Sequence, residues 1–273
     1  MVYLSHDSSR INAQRHARHA MPDPVIEICV EGLDGLLAAE AGGADRVELC
    51  AALIEGGITP SIGTVRAALR RATIPFRVII RPRGGDFLYS ETEFATMLED
   101  VAAMRALGVA GVVVGCLTAE GDIDAPRMQA LVQEAGALGV TCHRAFDMTR
   151  DPAAALEALI ACGVDRVLTS GQRDSAAEGV DVLRALVIQA AGRITIMGCG
   201  KLDAGNIAAI RAATGLTELH FSAPVDTPSA MAWRNPHVGM GATALDREYT
   251  NTLTDPARVR ATIAAARTTG NAS

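Results

Sequence analysis

Two short runs carry a glutamate and a cysteine two residues apart, Glu27-Ile28-Cys29 and Glu48-Leu49-Cys50. Residues i and i+2 of a strand share a face, so each run directs a carboxylate and a thiol to one side. Further along stand Arg81 and Arg83 before Gly84-Gly85, then His143-Arg144 with Asp147. Carboxylates opposed to arginines and an imidazole can serve as general acid, general base and anion clamp. Glu27, Glu48, Arg81, His143 and Asp147 are therefore the candidate catalytic group. The same set, read without function, is a buried ion-pair network that sets strand register. Adjacent strands lie about 4.8 Å apart, so the Cys29 and Cys50 thiols can approach one another, and two soft thiolates can hold Cu(I). Against that, free cysteine packs well as a small hydrophobe, the role expected of Cys116, Cys142, Cys162 and Cys199.

A second set could bind a substrate. Gly198-Cys199-Gly200 with Lys201 precedes a helix starting near Asp203, and backbone amides at a helix N-terminus are a common phosphate cradle. Ser222-Ala223 would supply its other half, and Ser170-Gly171 stands in an equivalent place. Glycine also serves simply to turn a strand into a helix. Arg83, Arg144, Ser170, Gly198, Gly200 and Ser222 complete the substrate-binding candidates.

The elements that must position these groups follow from period. Short β-branched runs alternate with Ala/Leu/Glu-rich stretches at helical spacing. The expected strands are 25–30, 46–50, 77–82, 111–117, 140–146, 166–170, 193–197 and 218–222, and the expected helices are 34–42, 62–71, 91–107, 125–138, 152–162, 176–191, 204–213 and 256–267. A turn of Gly, small apolar residue, two variable positions and Val or Leu recurs from Gly43, Gly108, Gly163 and Gly215, so the architecture repeats in quarters. Eight parallel strands suit either a closed barrel or an open sheet. In an open sheet both faces lie under helices and strands read as continuously apolar, so Glu27 and Glu48 would be buried without partners. A barrel lumen open at one end can hydrate and pair them, and Arg81, His143 and His220 with Ser222 extend the same inward polar set. The expectation is a single-domain TIM (β/α)8 barrel over 23–268, with its active face at the carboxyl ends of the strands, an extension over 1–22 and a flexible tail over 269–273.

Composition removes other classes. The chain has 273 residues, 49% of them hydrophobic, and 25 Lys+Arg against 31 Asp+Glu give a net charge of −6. No basic field for a phosphate backbone exists, so nucleic acid is not an expected partner. No apolar run approaches the roughly 18 residues of a bilayer span, and no signal h-region is present, so a cytoplasmic protein away from membranes is expected. Six cysteines without a CxxC pair read as reduced thiols. The first twenty residues are Arg- and Ser-containing, which suits either a transit peptide or a non-native start before Met21, and His6, His16 and His19 there read as solvated. The segment 223–254, with Trp233, is long for a βα loop and suits a lid or an oligomer contact.

Six ordered motifs then carry a family likeness: Glu27-Ile-Cys-Val, Gly42-Gly-Ala-Asp-Arg-Val-Glu-Leu-Cys50, Glu55-Gly-Gly-Ile-Thr-Pro-Ser61, Ile80-Arg-Pro-Arg-Gly-Gly-Asp-Phe87, His143-Arg-Ala-Phe-Asp147 and Leu168-Thr-Ser-Gly171. Over about residues 24–267 the chain resembles the CutC copper homeostasis family. The resemblance implies a cytosolic TIM-like barrel forming a dimer or tetramer, with Cu(I) held by Cys29 and Cys50. One departure is that Cys199 and Lys201 interrupt the family's glycine-rich run after strand 7, which speaks against an amide cradle there. The leading expectation is thus a copper homeostasis protein binding Cu(I) at the barrel mouth. The alternative is a barrel enzyme of lyase, isomerase or hydrolase type acting on a small anionic metabolite through the Glu, Arg and His of the same mouth.

Overall fold

In the computed structural model, which describes residues 22–240 and 247–268, each strand of the barrel separates two environments. Outward side chains such as Ile26, Ile28, Val30, Val47, Leu49, Val78, Val112, Val114 and Val140 join one continuous core beneath the helices. Inward ones form a different set, in which Leu168, Met197 and Cys199 make a small cluster apart from that core. A strand with charged residues on one side and aliphatic ones on the other suits a closed sheet with a lumen, and the structure is one.

The strands β1 (Val25–Glu31), β2 (Arg46–Cys50), β3 (Phe76–Ile79), β4 (Gly111–Val114), β5 (Gly139–Cys142), β6 (Arg166–Thr169), β7 (Thr195–Gly198) and β8 (Glu218–Phe221) pair in sequence order, and β8 closes on β1. All eight pairings are parallel, giving a TIM (β/α)8 barrel in a single domain. Register sets the depth of each inward side chain. Glu27 lies opposite Arg46 on one side and His220 on the other, while Cys29 lies opposite Glu48.

Around the strands lie α1 (Gly32–Ala41), α2 (Ile62–Arg71), α3 (Glu91–Leu107), α4 (Ala125–Ala135), α5 (Pro152–Cys162), α6 (Val180–Ala190), α7 (Ile207–Thr214) and α8 (Pro256–Arg267). Their ends are written in the sequence. Ser90 and Glu93 close a reciprocal capping box on α3, and Asp151-Pro152 and Asp255-Pro256 place a carboxylate cap before a first-turn proline. The four repeat glycines, Gly43, Gly108, Gly163 and Gly215, all take positive φ, between +72° and +93°, where a Cβ is disfavoured.

Three strands are shorter than their apolar runs suggest. The expected strand 140–146 stops at Cys142 because Ala145 N–H donates to His143 Nδ1 and the chain turns into a 3-10 helix, Arg144–Met148. The segment after β8 carries an antiparallel ribbon, β9 (Pro224–Pro228) with β10 (Thr250–Thr254), and β10 packs along α1. None of the described residues of 223–254 lines the cavity at the mouth, so this ribbon is not a lid in this structure. The expected extension, but for Pro22, and the whole of the expected tail lie outside the described residues. Among the described residues no helix is long and apolar enough to cross a membrane.

Candidate functional site

The lumen is a ladder of alternating charge. At its lower end Arg46 Nη2 and Arg166 Nε reach Glu218 Oε2 at 2.7 and 2.6 Å, and Arg77 Nη1 donates to Thr141 Oγ1 at 2.9 Å. One level up, Glu27 accepts from Arg46 Nε and contacts His220 Nδ1 at 2.9 Å, with Arg77 Nε at 3.9 Å. The other side of the imidazole faces Glu48, Nε2 to Oε2 3.7 Å. Above it the sulfurs of Cys29 and Cys50 are 3.7 Å apart. The i/i+2 pattern produces this directly: Arg46-Val-Glu48-Leu-Cys50 and Glu218-Leu-His220 put every polar group inward and every aliphatic one under the helices.

Burial makes the ladder's protonation specific. Burial by itself raises the Glu27 carboxyl, but His220 and then Arg46 outweigh it and bring it down to about 2. Burial likewise opposes the His220 charge, yet hydrogen bonds to Cys29 and Glu27 and the nearby carboxylates hold its pKa well above the usual imidazole value. The Glu48 carboxyl is pushed well up, by burial and by the charge on Cys29. Of the two thiols, Cys29 is the one drawn down, stabilised first by the Cys50 thiol and then by His220, while Cys50 is pushed up as its partner ionises. His220, its proton affinity raised, thus stands between a carboxyl and a thiol that are both drawn down, in a buried site.

Cys29, Glu48, Arg81, His143 and His220 line one cavity of about 140 Å³ at the mouth, with Phe87 across it. The structure therefore gathers Glu48, Arg81, His143 and Cys29 around one space, with Cys50 in contact with Cys29 and Glu27 one layer below. Arg144 also reaches this cavity, although its guanidinium is spent on Asp147 and Ser170 Oγ. Other candidates lie elsewhere. Arg83 is tied to Glu93, Asp86 and the carbonyls of Gly84, Asp86 and Leu88. Asp147 clasps the β5 and β6 loops through Thr169, Ser170 and Gln172 N–H. Ser170 is fully buried, Gly198 packs behind Leu216, and Gly200, at φ +97°, has Ser170 where a Cβ would stand. Ser222 is exposed and outside the cavity lining. The groups that sequence reading did not assign are Arg46, Arg77, Arg166 and Glu218 of the lower layer and Phe87; the first four carry the signal of standing two residues before an inward position on their own strands.

Cys29, Glu48 and Cys50 also form a possible metal-ligand set, with one donor atom from each within 4.8 Å of the others. The CutC family profile matches residues 24–225. This chain belongs to the CutC family. A family protein CutC of Mesorhizobium japonicum is 70% identical over 244 residues, covering 89% of this chain and 95% of that protein. The human copper homeostasis protein cutC homolog is 44% identical over 236 residues, 86% of each chain. The crystal structure of a copper homeostasis protein CutC from Streptococcus agalactiae superposes with a TM-score of 0.69 at 34% identity, covering 72% of this chain and 98% of that one. The barrel of a phosphoribosylanthranilate isomerase from Pyrococcus furiosus, 15% identical with a TM-score of 0.50 over 89% of this chain and 98% of that one, shares the fold alone.

Proposed function

We propose that this CutC protein serves copper homeostasis by binding one Cu(I) ion between the sulfurs of Cys29 and Cys50. The observation that carries the reading is the pair of thiols 3.7 Å apart on two rigid, adjacent strands. Metal–thiolate bonds of about 2.3 Å put two sulfurs roughly 4.0 Å apart at a trigonal ion and roughly 4.6 Å apart at a linear one, so a shift of a few tenths of an ångström suffices for the first. Glu48 supplies the only third donor in reach among the described residues. Soft thiolates favour Cu(I) over harder divalent ions. Charge agrees as well, because two thiolates on a monovalent ion leave one negative charge beside His220, whose surroundings favour its protonated form. Cys29 is half-buried and lines the mouth cavity, which supplies a path for exchange. Cytoplasmic residence and a homo-oligomer belong to the same reading, the latter supported by exposed Trp233, Met231 and Met240.

An anaerobic Cu(I) titration against a chromogenic chelator tests it, with Zn(II) as competitor. The expected result is one Cu(I) per chain in the wild type and at least tenfold weaker binding in Cys29→Ser and Cys50→Ser. Equal affinity in the wild type and the double variant overturns the assignment.

A further inference from the structure

Two residues that line the mouth cavity, Arg81 and His143, each carry a buried nitrogen without a partner, and neither belongs to the thiol pair. Arg81 is 6% exposed, and its five N–H groups can be followed one by one. Nη1 donates to the carbonyls of Glu55 and Gly57 at 2.7 and 3.0 Å, and Nη2 to that of Gly85 at 2.7 Å. Nε and one Nη2 hydrogen are left, and Nε is buried with no acceptor. Among the described residues no carboxylate pairs with this guanidinium. His143 is 4% exposed, and its Nδ1 accepts the Ala145 N–H at 3.2 Å. A neutral ring that accepts at Nδ1 carries its hydrogen on Nε2, and Nε2 also lacks a partner. One aromatic side chain spans both groups: the Phe87 ring centroid lies 5.0 Å from Arg81 Cζ and 4.9 Å from the His143 ring centroid.

A buried donor left unpaired costs about 1–3 kcal/mol, and a buried cation without a counter-ion costs more. Both deficits ask for the same thing, an anion that only accepts. The remaining walls choose among anions. Ile79, Leu168 and Phe87 form an apolar side that suits a short carbon chain, while Cys29, Glu48, Arg144 and His220 complete the lining. A planar carboxylate matches the side-on fork of a guanidinium, two parallel N–H groups on one edge. A volume of about 140 Å³ is close to the roughly 150 Å³ cavity that holds benzene, which corresponds to about six non-hydrogen atoms. We propose that this cavity is a binding site for a small organic monocarboxylate, its carboxylate held by Arg81 and His143 and its carbon chain lying against Phe87, Ile79 and Leu168. The site shares its cavity with Cys29 and Glu48 but would hold its ligand through other residues, so it stands without the copper reading. Burial supports the assignment by holding His143 neutral, its pKa brought down to about 3, so the ring donates at Nε2 throughout the physiological range.

The test uses the full chain, calorimetry and ligand-observed NMR, with propionate, L-lactate and pyruvate as probes, pyruvamide as the uncharged counterpart of pyruvate, and inorganic phosphate as a second anion. The expected result is that at least one of the three carboxylates binds one per chain, and that phosphate binds more weakly than it does. For pyruvate, pyruvamide is expected to be at least tenfold weaker. His143→Gln, with native circular dichroism, is expected to lose at least tenfold for the same carboxylate, and Arg81→Lys, which keeps the charge but not the fork, at least as much. Arg81 also ties two loops together; if Arg81→Lys unfolds, His143→Gln and the pyruvamide comparison decide alone. No binding of any of the three carboxylates below about 10 mM, equal binding of pyruvamide, tighter binding of phosphate, or unchanged binding by a folded His143→Gln overturns the proposal.

Discussion

Replacing Glu27 with glutamine tests the lumen ladder at its centre while keeping volume. The Glu27 carboxylate is 1% exposed and meets Arg46, Arg77 and His220. Its pKa falls from 4.5 to about 2, and at about 1.4 kcal/mol per tenfold change in proton affinity the folded state favours the ionised form by about 3 kcal/mol. That agrees with the roughly 3–5 kcal/mol lost when one member of a buried pair is removed. Glu27→Gln is therefore expected to cost about 3 kcal/mol at pH 7, or roughly 6–12 °C in Tm for a chain of this size. The pH dependence has a definite sign. A depressed acid contributes stability above its unfolded value and loses it as pH falls through the folded one, so the wild-type advantage should be full above about pH 5 and shrink between 4.5 and 2. His220, whose pKa is raised, works in the opposite sense: its contribution is complete below about 6.5 and fades as pH rises through its folded value. Without the Nδ1 partner that value drops, so the variant should weaken at lower pH than the wild type on the alkaline side. Urea unfolding followed by circular dichroism from pH 3 to 9 measures both trends. A gap under about 1 kcal/mol at pH 7, or one that stays constant down to pH 3, refutes the reasoning.

Two further outcomes follow from the same lumen. Arg77 and Arg46 should not be equivalent: Arg46 meets Glu27 and Glu218, whereas Arg77 has a hydrogen bond to Thr141, a 3.9 Å approach to Glu27 and an unpartnered Nε, and burial followed by Arg166 and Arg46 brings its pKa down to about 10. Urea unfolding is expected to show about 1 kcal/mol or less lost in Arg77→Met and about 3–5 kcal/mol lost in Arg46→Met; equal losses would sink the distinction. Gly115→Ala would place a Cβ 2.6 Å from His143 Cε1 and 2.9 Å from Ala145 Cβ, so it is expected to cost about 1–3 kcal/mol and to weaken monocarboxylate binding by moving the ring. A folded Gly115→Ala with unchanged stability would show that the His143 ring is not held where the structure has it.

Face was legible in the sequence, and depth was not. Alternation in Glu27-Ile28-Cys29 and Glu48-Leu49-Cys50 is enough to assign sides, because a strand has only two. It does not say how far along the barrel axis a side chain sits, since that depends on which residue of the next strand it faces. Glu27 and Glu48 look alike as sequence, yet Glu27 faces Arg46 and His220 on its neighbouring strands, and Glu48 faces Cys29. One carboxyl is thereby drawn down under the site and the other pushed up within it. The helices behave differently because their ends carry local chemistry. Those over 62–71, 91–107, 152–162 and 256–267 have the expected bounds, each begun by a Ser or Asp cap. The strand ends at Ile79, Val114 and Cys142 were not legible because the apolar runs continue past the last ladder pair into buried loop.

The same asymmetry explains why the two proposed ligands can share one mouth. Glu27 pairs with Arg46 below it and His220 above it, and His220 in turn draws down the Cys29 thiol, so the thiol pair draws on His220 and not on Arg81. Arg81 stands outside this ladder, tied only to backbone carbonyls, and its charge is the one positive charge lining the cavity that no acidic side chain offsets among the described residues. A cation made to rest on carbonyl dipoles, beside a histidine whose free nitrogen can only donate, is an arrangement that folding alone does not reward. Arg77 Nε is unpartnered too, but deep in the ladder, whereas Arg81 and His143 line the cavity, where an anion accepting from both would recover that cost.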